Sequence, residues 1–167
     1  MSRMLALLNQ LKTQAKPDWL TDGQRAAFDA IRDALRFPET VNLYGPVGSG
    51  KTFLAWTLSR SLAMPYFPGP AAFDRHSERP TPRAIVDNAG ARERTVRSLL
   101  AVAQRKGTHT LLFITHRHNE MGFQAIALPA PTPHDFDVVY HNLSLLEYYA
   151  LPPVREGSLW DAIRAVL

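Results

Sequence analysis

A chain of 167 residues, 46% of them hydrophobic, supplies one proper core and so about one domain. It contains no cysteine, which excludes disulfides, thiolate catalysis and cysteine metal sites, and it lacks the apolar run of about eighteen residues that a membrane-spanning helix needs. The net charge of +4 permits contact with nucleic acid or an acidic partner without requiring either.

Within residues 2–15, Met4, Leu8 and Leu11 fall at helical spacing, which predicts a short amphipathic helix packed on its own domain or docked to a partner. Asn9, Gln10, Lys12 and Gln14 interrupt that segment, so it lacks the apolar centre of a secretory signal, and a cytoplasmic location is expected. After Pro17, Thr21-Asp22-Gly23-Gln24 has the form of a capping box. The helix it opens carries Ala27, Phe28, Ile31 and Leu35 on one stripe and ends before Pro38. Val41-Asn42-Leu43-Tyr44 is a short strand that runs into the glycine-rich segment Gly45-Pro46-Val47-Gly48-Ser49-Gly50-Lys51-Thr52, and a helix follows from Phe53 to Leu62.

Pro65, Pro68, Pro70, Pro80 and Pro82 leave room for a strand around Pro65 to Phe67 and little regular structure beyond it. Ala84-Ile85-Val86 is an apolar run ending in Asp87. A helix from Arg92 to Lys106 turns Val96, Leu99, Leu100 and Ala103 inward and stops at Gly107. Leu111 to Ile114 is a buried strand ending at Thr115, and Phe136 to Tyr140 is the last strand candidate. Ser144-Leu145-Leu146-Glu147 and Ser158-Leu159-Trp160-Asp161 both read as helix starts. Strands alternating with helices predict an α/β fold with a three-layer parallel-sheet core and a short C-terminal helical segment. The expected organisation is an N-terminal helix over 1–16, a core over 17–150 and a C-terminal helix over 151–167.

Phosphate groups need several backbone amides aimed at one point, and only a glycine-rich turn lets a chain curl that closely. Gly45, Gly48 and Gly50 provide the turn, and the next helix adds the positive end of its dipole. Lys51 supplies charge to the β and γ phosphates, and the Thr52 hydroxyl is a ligand for Mg²⁺. Phe53 completes the candidate nucleotide-binding set. Asp87, at the tip of an apolar run downstream, is the expected carboxylate partner of the metal. Thr115, at the tip of the next strand, is placed to touch the γ-phosphate or the attacking water. His116 and His118 have no clustered carboxylate beside them and read as a polar loop.

At these residues the chain resembles the AAA+ and related ASCE P-loop ATPases, over about residues 20–143. Gly45 to Thr52 is similar to their Walker A loop, Ala84 to Asp87 to Walker B, and Leu111 to Thr115 to the sensor-1 strand. The resemblance implies ATP and Mg²⁺ as cofactors and makes Gln24 a candidate contact for the adenine. Where the family carries the glutamate that activates water, this chain has Asn88, whose amide orients water but takes no proton. The family's arginine finger lies just before the last strand, where His134-Asp135 stands; Arg117 is a substitute, and Arg155 and Arg164 are further candidates for the γ-phosphate. The expected function is a nucleotide-dependent switch or assembly subunit, with slow or partner-dependent hydrolysis. A homo-oligomer or a larger hetero-complex would supply what one core lacks.

Two other readings stand beside this one. Asp87-Asn88-Ala89-Gly90 also fits the D-x-x-G pattern of small GTPases, although Asn142-Leu143-Ser144-Leu145 lacks the lysine and aspartate of a guanine-reading motif. A small-molecule kinase would use Arg75, Arg79 and Arg83 around an acceptor. Between Arg75 and Lys106 there are eight basic residues against Glu78, Asp87 and Glu93, a surface that suits a solvated face or a nucleic-acid contact.

Overall fold

The computed structural model describes residues 2–76, 79–150 and 152–167; Glu78 of the basic window and Leu151, the first residue of the C-terminal segment, lie outside the described residues. Helix α1 (Arg3–Gln14) is followed by a 3₁₀ turn at Pro17–Trp19 and by α2 (Asp22–Ala34). Strand β1 (Thr40–Tyr44) leads through the glycine-rich loop into α3 (Lys51–Ser61). Then come β2 (Tyr66–Phe67), α4 (Pro70–Arg75), β3 (Arg83–Val86), α5 (Glu93–Arg105) and β4 (Thr110–Thr115). The chain closes with β5 (Gln124–Ala127), α6 (Pro133–Ser144) and α7 (Leu159–Ala165).

The five strands form one parallel sheet in the order β2-β3-β4-β1-β5. Alternation along the central strands sorts their side chains onto two faces. Ile85, Leu112 and Ile114 pack with Phe28 and Ile31 of α2 and Leu54 and Leu58 of α3. Ala84, Val86, Leu111 and Phe113 pack on the other face with Phe73 of α4 and Val96 and Leu99 of α5. Helices cover both faces, which is why the strands read as continuous apolar runs. The result is the expected three-layer α/β fold. A third cluster joins Leu7 and Leu11 of α1, Trp19, Leu143 of α6 and Val166 near the C-terminus.

Thr21 and Gln24 form the capping box that the sequence predicts: the Gln24 amide donates to Thr21 Oγ1 and the Thr21 amide to Gln24 Oε1. Three expectations are corrected. Phe136 to Tyr140 is not a strand but the middle of α6, whose start is capped by Thr132 and Asp135. The last strand is β5, Gln124–Ala127, on the edge beside β1. Ser144 ends α6 instead of starting a helix, and Glu147 turns the chain in the left-handed region. The proline-rich segment also holds α4, because Pro70 stands in the first turn of that helix, where the missing N–H costs no helical bond.

Candidate nucleotide-binding site

The loop after β1 lies at the carboxyl edge of the sheet, where open parallel sheets bind ligands. Three of its residues require glycine: Gly45 because a Cβ there would run into the Leu128 carbonyl, and the other two by conformation as well. Gly48 and Gly50 have φ angles of 80° and 87°, in the left-handed region that side chains disfavour. A Cβ on Gly48 would run into the side chain of Ser158, and one on Gly50 into the amide of Gln24. Val47 stands at the exposed tip of the loop, and Ser49 is held below it by a 2.9 Å bond from its hydroxyl to the Pro46 carbonyl.

Lys51 opens α3 and is 7% exposed. Its Nζ donates to the carbonyls of Gly45 at 2.8 Å and Pro46 at 2.6 Å, so the ammonium sits inside the curl of the loop. Burial draws its pKa below the ordinary lysine value, and the nearby Asp87 carboxylate works in the opposite direction.

Thr52 and Asp87 meet although 35 residues separate them: Thr52 Oγ1 donates to Asp87 Oδ2 at 2.8 Å. Asp87 is buried at the end of β3 and has two more donors. The Tyr66 hydroxyl on β2 donates to Oδ2 at 2.9 Å, and the Asn88 backbone N–H donates to Oδ1 at 2.7 Å. Burial first, and then the Asp87 carboxylate, push the Tyr66 phenol well above its ordinary pKa, so it stays a proton donor to that carboxylate. Thr52 and Asp87 thus place two hard oxygens side by side next to the loop cation. That donor chemistry fits Mg²⁺, which takes one or two protein oxygens together with phosphate oxygens and water.

Asn88 occupies the left-handed region at φ 49°, which asparagine tolerates better than most residues. Its Nδ2 donates to the Pro68 carbonyl at 3.0 Å, and the residue lines the cleft beside Asp87. Gln24 also lines the cleft, but both ends of its amide hold backbone: Oε1 accepts from Thr21 and Nε2 donates to Gly50 at 3.2 Å. It braces the loop from behind.

Thr115 ends β4 as expected, yet it does not line the cleft. Its hydroxyl accepts from Asn42 Nδ2 at 2.9 Å and donates to the Arg117 carbonyl at 2.5 Å. Asn42, fully buried on β1, also accepts from the backbone and side chain of Asn119, so this network ties the β4–β5 connection down. His116, the next residue, is the one from this connection that lines the cleft. Arg155 pairs with Asp137 at 2.9 Å and Arg164 with Asp161 at 3.6 Å, and neither lines the cleft. With β5 as the last strand, Arg117 lies in the exposed segment just before it.

The cleft has a volume of about 420 Å³ and continues from the loop into an apolar chamber. Leu8 and Leu11 of α1, Trp19, Phe53, Trp56, Leu143, Leu159 and Ile163 line it. The start of α7 is clasped to the loop: the Leu159 amide donates to the Gly48 carbonyl at 2.9 Å. The Asp161 carboxylate accepts from the backbone and hydroxyl of Ser158, and these bonds hold its pKa below the usual carboxylate value. The Ser158-to-Asp161 pattern reveals that helix start, but no local signal tells that it lands on residue 48.

A parallel sheet, a glycine loop closed around a buried lysine, and a strand-end aspartate facing the following threonine define a nucleotide-binding P-loop protein. The sequence profile of the AAA domain matches residues 8–139, and the chain belongs to that family. Among solved structures, the fold is similar to a DNA replication initiation factor, with a TM-score of 0.56 and 13% identity over 81% of this chain and 56% of that one. It is also similar to the replication initiator DnaA bound to AMPPCP and single-stranded DNA, with a TM-score of 0.52 and 13% identity over 80% of this chain and 55% of that one. AMPPCP-bound DnaA from Aquifex aeolicus gives a TM-score of 0.51 at 13% identity, over 77% of this chain and 53% of that one. The chain therefore spans little more than half of these proteins, and the likeness concerns the fold. No curated protein matches it in sequence.

Proposed function

We propose that this chain binds Mg-ATP at the loop and acts as a nucleotide-dependent switch or assembly subunit whose hydrolysis is slow or depends on a partner. The observation that carries this reading is the pairing of a complete grip with an incomplete engine. Lys51, Thr52 and Asp87 converge within hydrogen-bond reach of one another or of the loop. The residue after Asp87 is an amide already bonded to Pro68, and an amide takes no proton from water. Bound Mg²⁺ would neutralise charge on the β and γ phosphates; Thr52 and Asp87 would hold it, while Lys51 steadies the phosphates.

A GTPase reading finds less support. Gly90 lies against Thr95 and does not line the cleft, so it is poorly placed to report a γ-phosphate. The kinase reading loses Arg83, which donates to the Leu62 carbonyl.

Two supports bear on partners. Exposed Arg117 suits assembly with other copies or subunits, and the basic window suits a nucleic-acid-associated complex. Much of that window is engaged: Arg105 pairs with Asp74 at 2.8 Å and Arg97 with Glu93 at 2.6 Å. Arg92 and Arg94, at the start of α5, enter no ion pair among the described residues. No helix among the described residues is long and apolar enough to cross a membrane, and a cytoplasmic site of action is part of this proposal.

The direct test is thermal denaturation with Mg-ATP. The wild type is expected to gain several degrees at saturating nucleotide, and Lys51→Ala to lose affinity by about 10- to 100-fold. A folded wild type that gains nothing from any nucleotide contradicts the proposal.

A further inference from the structure

Asn142 lies on α6, is 7% exposed, and lines the apolar chamber of the cleft. Its Nδ2 donates to the Trp19 carbonyl at 2.9 Å. That bond fixes the amide, because exchanging its oxygen and nitrogen would set two acceptors against each other. The other end, Oδ1, accepts no hydrogen bond among the described residues and is not sealed from the cleft.

An amide oxygen among apolar walls is costly to leave unmet once a ligand displaces its water. The chamber opens directly onto the phosphate loop, so the part of a bound nucleotide that reaches it is the base. Trp19, Phe53 and Trp56 give it broad flat walls suited to a purine. Adenine carries an amine at its 6-position, a donor, whereas guanine carries a carbonyl there. An acceptor held in place therefore discriminates between them.

We propose that Asn142 is a specificity-determining residue whose Oδ1 accepts a hydrogen bond from the 6-amino group of adenine. The inference rests on the nucleotide-binding reading above and deepens it. Gln24, the base contact expected from sequence, has both ends of its amide engaged by Thr21 and Gly50, which leaves Asn142 the better placed reader.

The test is competitive displacement of a ribose-labelled fluorescent nucleotide, in Mg²⁺, by ATP, by purine riboside triphosphate and by GTP. Purine riboside triphosphate has only hydrogen at the 6-position. Wild type is expected to bind ATP about five- to tenfold more tightly than that analogue, and GTP more weakly than either. Asn142→Leu is expected to bind ATP and the analogue equally, with its affinity for the analogue retained. Since Asn142 also holds Trp19, the wild-type comparison keeps the inference open to refutation even where the variant does not fold. Equal wild-type affinity for ATP and the analogue overturns the role of Asn142, as does a variant that keeps the ATP preference. Binding that depends on Lys51 but ignores the 6-position contradicts this inference alone; a folded wild type that binds none of the three contradicts the nucleotide reading itself.

Discussion

Asp87 accepts hydrogen bonds from three directions, and each donor carries a separable consequence. Tyr66 donates to the carboxylate, so it would act on a bound ion through Asp87. Tyr66→Phe is expected to weaken ATP binding by about three- to tenfold in Mg²⁺ and to leave binding in EDTA unchanged, as measured by isothermal titration calorimetry. Equal losses in both conditions would assign Tyr66 a purely structural part. Asn88→Glu restores a proton acceptor at the position where the family carries one. Phosphate release is expected to rise by about 10²-fold or more, while stability falls by about 1 kcal/mol because glutamate fits φ 49° less well than asparagine. A variant as slow as wild type would show that the missing base is not what limits turnover. Lys51, Thr52 and Asp87 were legible in the sequence because fixed spacing and an apolar run define them. Tyr66 was not, since it reaches Asp87 only through the pairing of β2 with β3. Thr115 was placed correctly on its strand but not in its contacts, which depend on Asn42, 73 residues away.

At the scale of elements, the loop and α7 form one unit. The Leu159 amide donates to Gly48, and Ser158 occupies the space that a side chain on Gly48 would need. Gly48→Ala is therefore expected to strain the loop and to displace α7 together. The expected readouts are faster proteolysis near Arg155 and a red-shifted tryptophan emission as Trp160, now 37% exposed, loses its packing. Unchanged proteolysis with weakened nucleotide binding would separate the two effects. The helical start of α7 was legible from its cap, as was α2 from Thr21 and Gln24. α6 was misread because Phe136, Val138, Val139 and Tyr140 are residues that strands favour. The overriding signal was Thr132-Pro133-His134-Asp135, a cap with proline in the first turn. β5 was missed because Gln-Ala-Ile-Ala is short, only partly buried and weakly apolar; it exists by pairing with β1.

Over the whole molecule, both ends of the chain converge on the cleft. α1 contributes Leu8 and Leu11, and α7 contributes Leu159 and Ile163. α7 lies beyond the residues matched by the AAA domain profile, so its clasp on the loop is a feature of this chain outside that match. The parallel sheet and its covering helices were predictable from alternating apolar runs. The convergence of the ends was not, because it is set by the third hydrophobic cluster, which gathers residues from 7 to 166. A nucleotide enclosed by loop, α1 and α7 would bear on how both ends pack, which is the physical content of the proposed switch.

As proposed above, this protein grips ATP without promptly cleaving it. The most direct measurement is the fate of ATP labelled at the γ-phosphate, mixed with excess protein and Mg²⁺, then separated by rapid gel filtration and sampled over an hour. Label is expected to travel with wild-type protein as intact ATP, and none with Lys51→Ala. Prompt release of labelled phosphate by the isolated wild type, or no label retained at all, would contradict it.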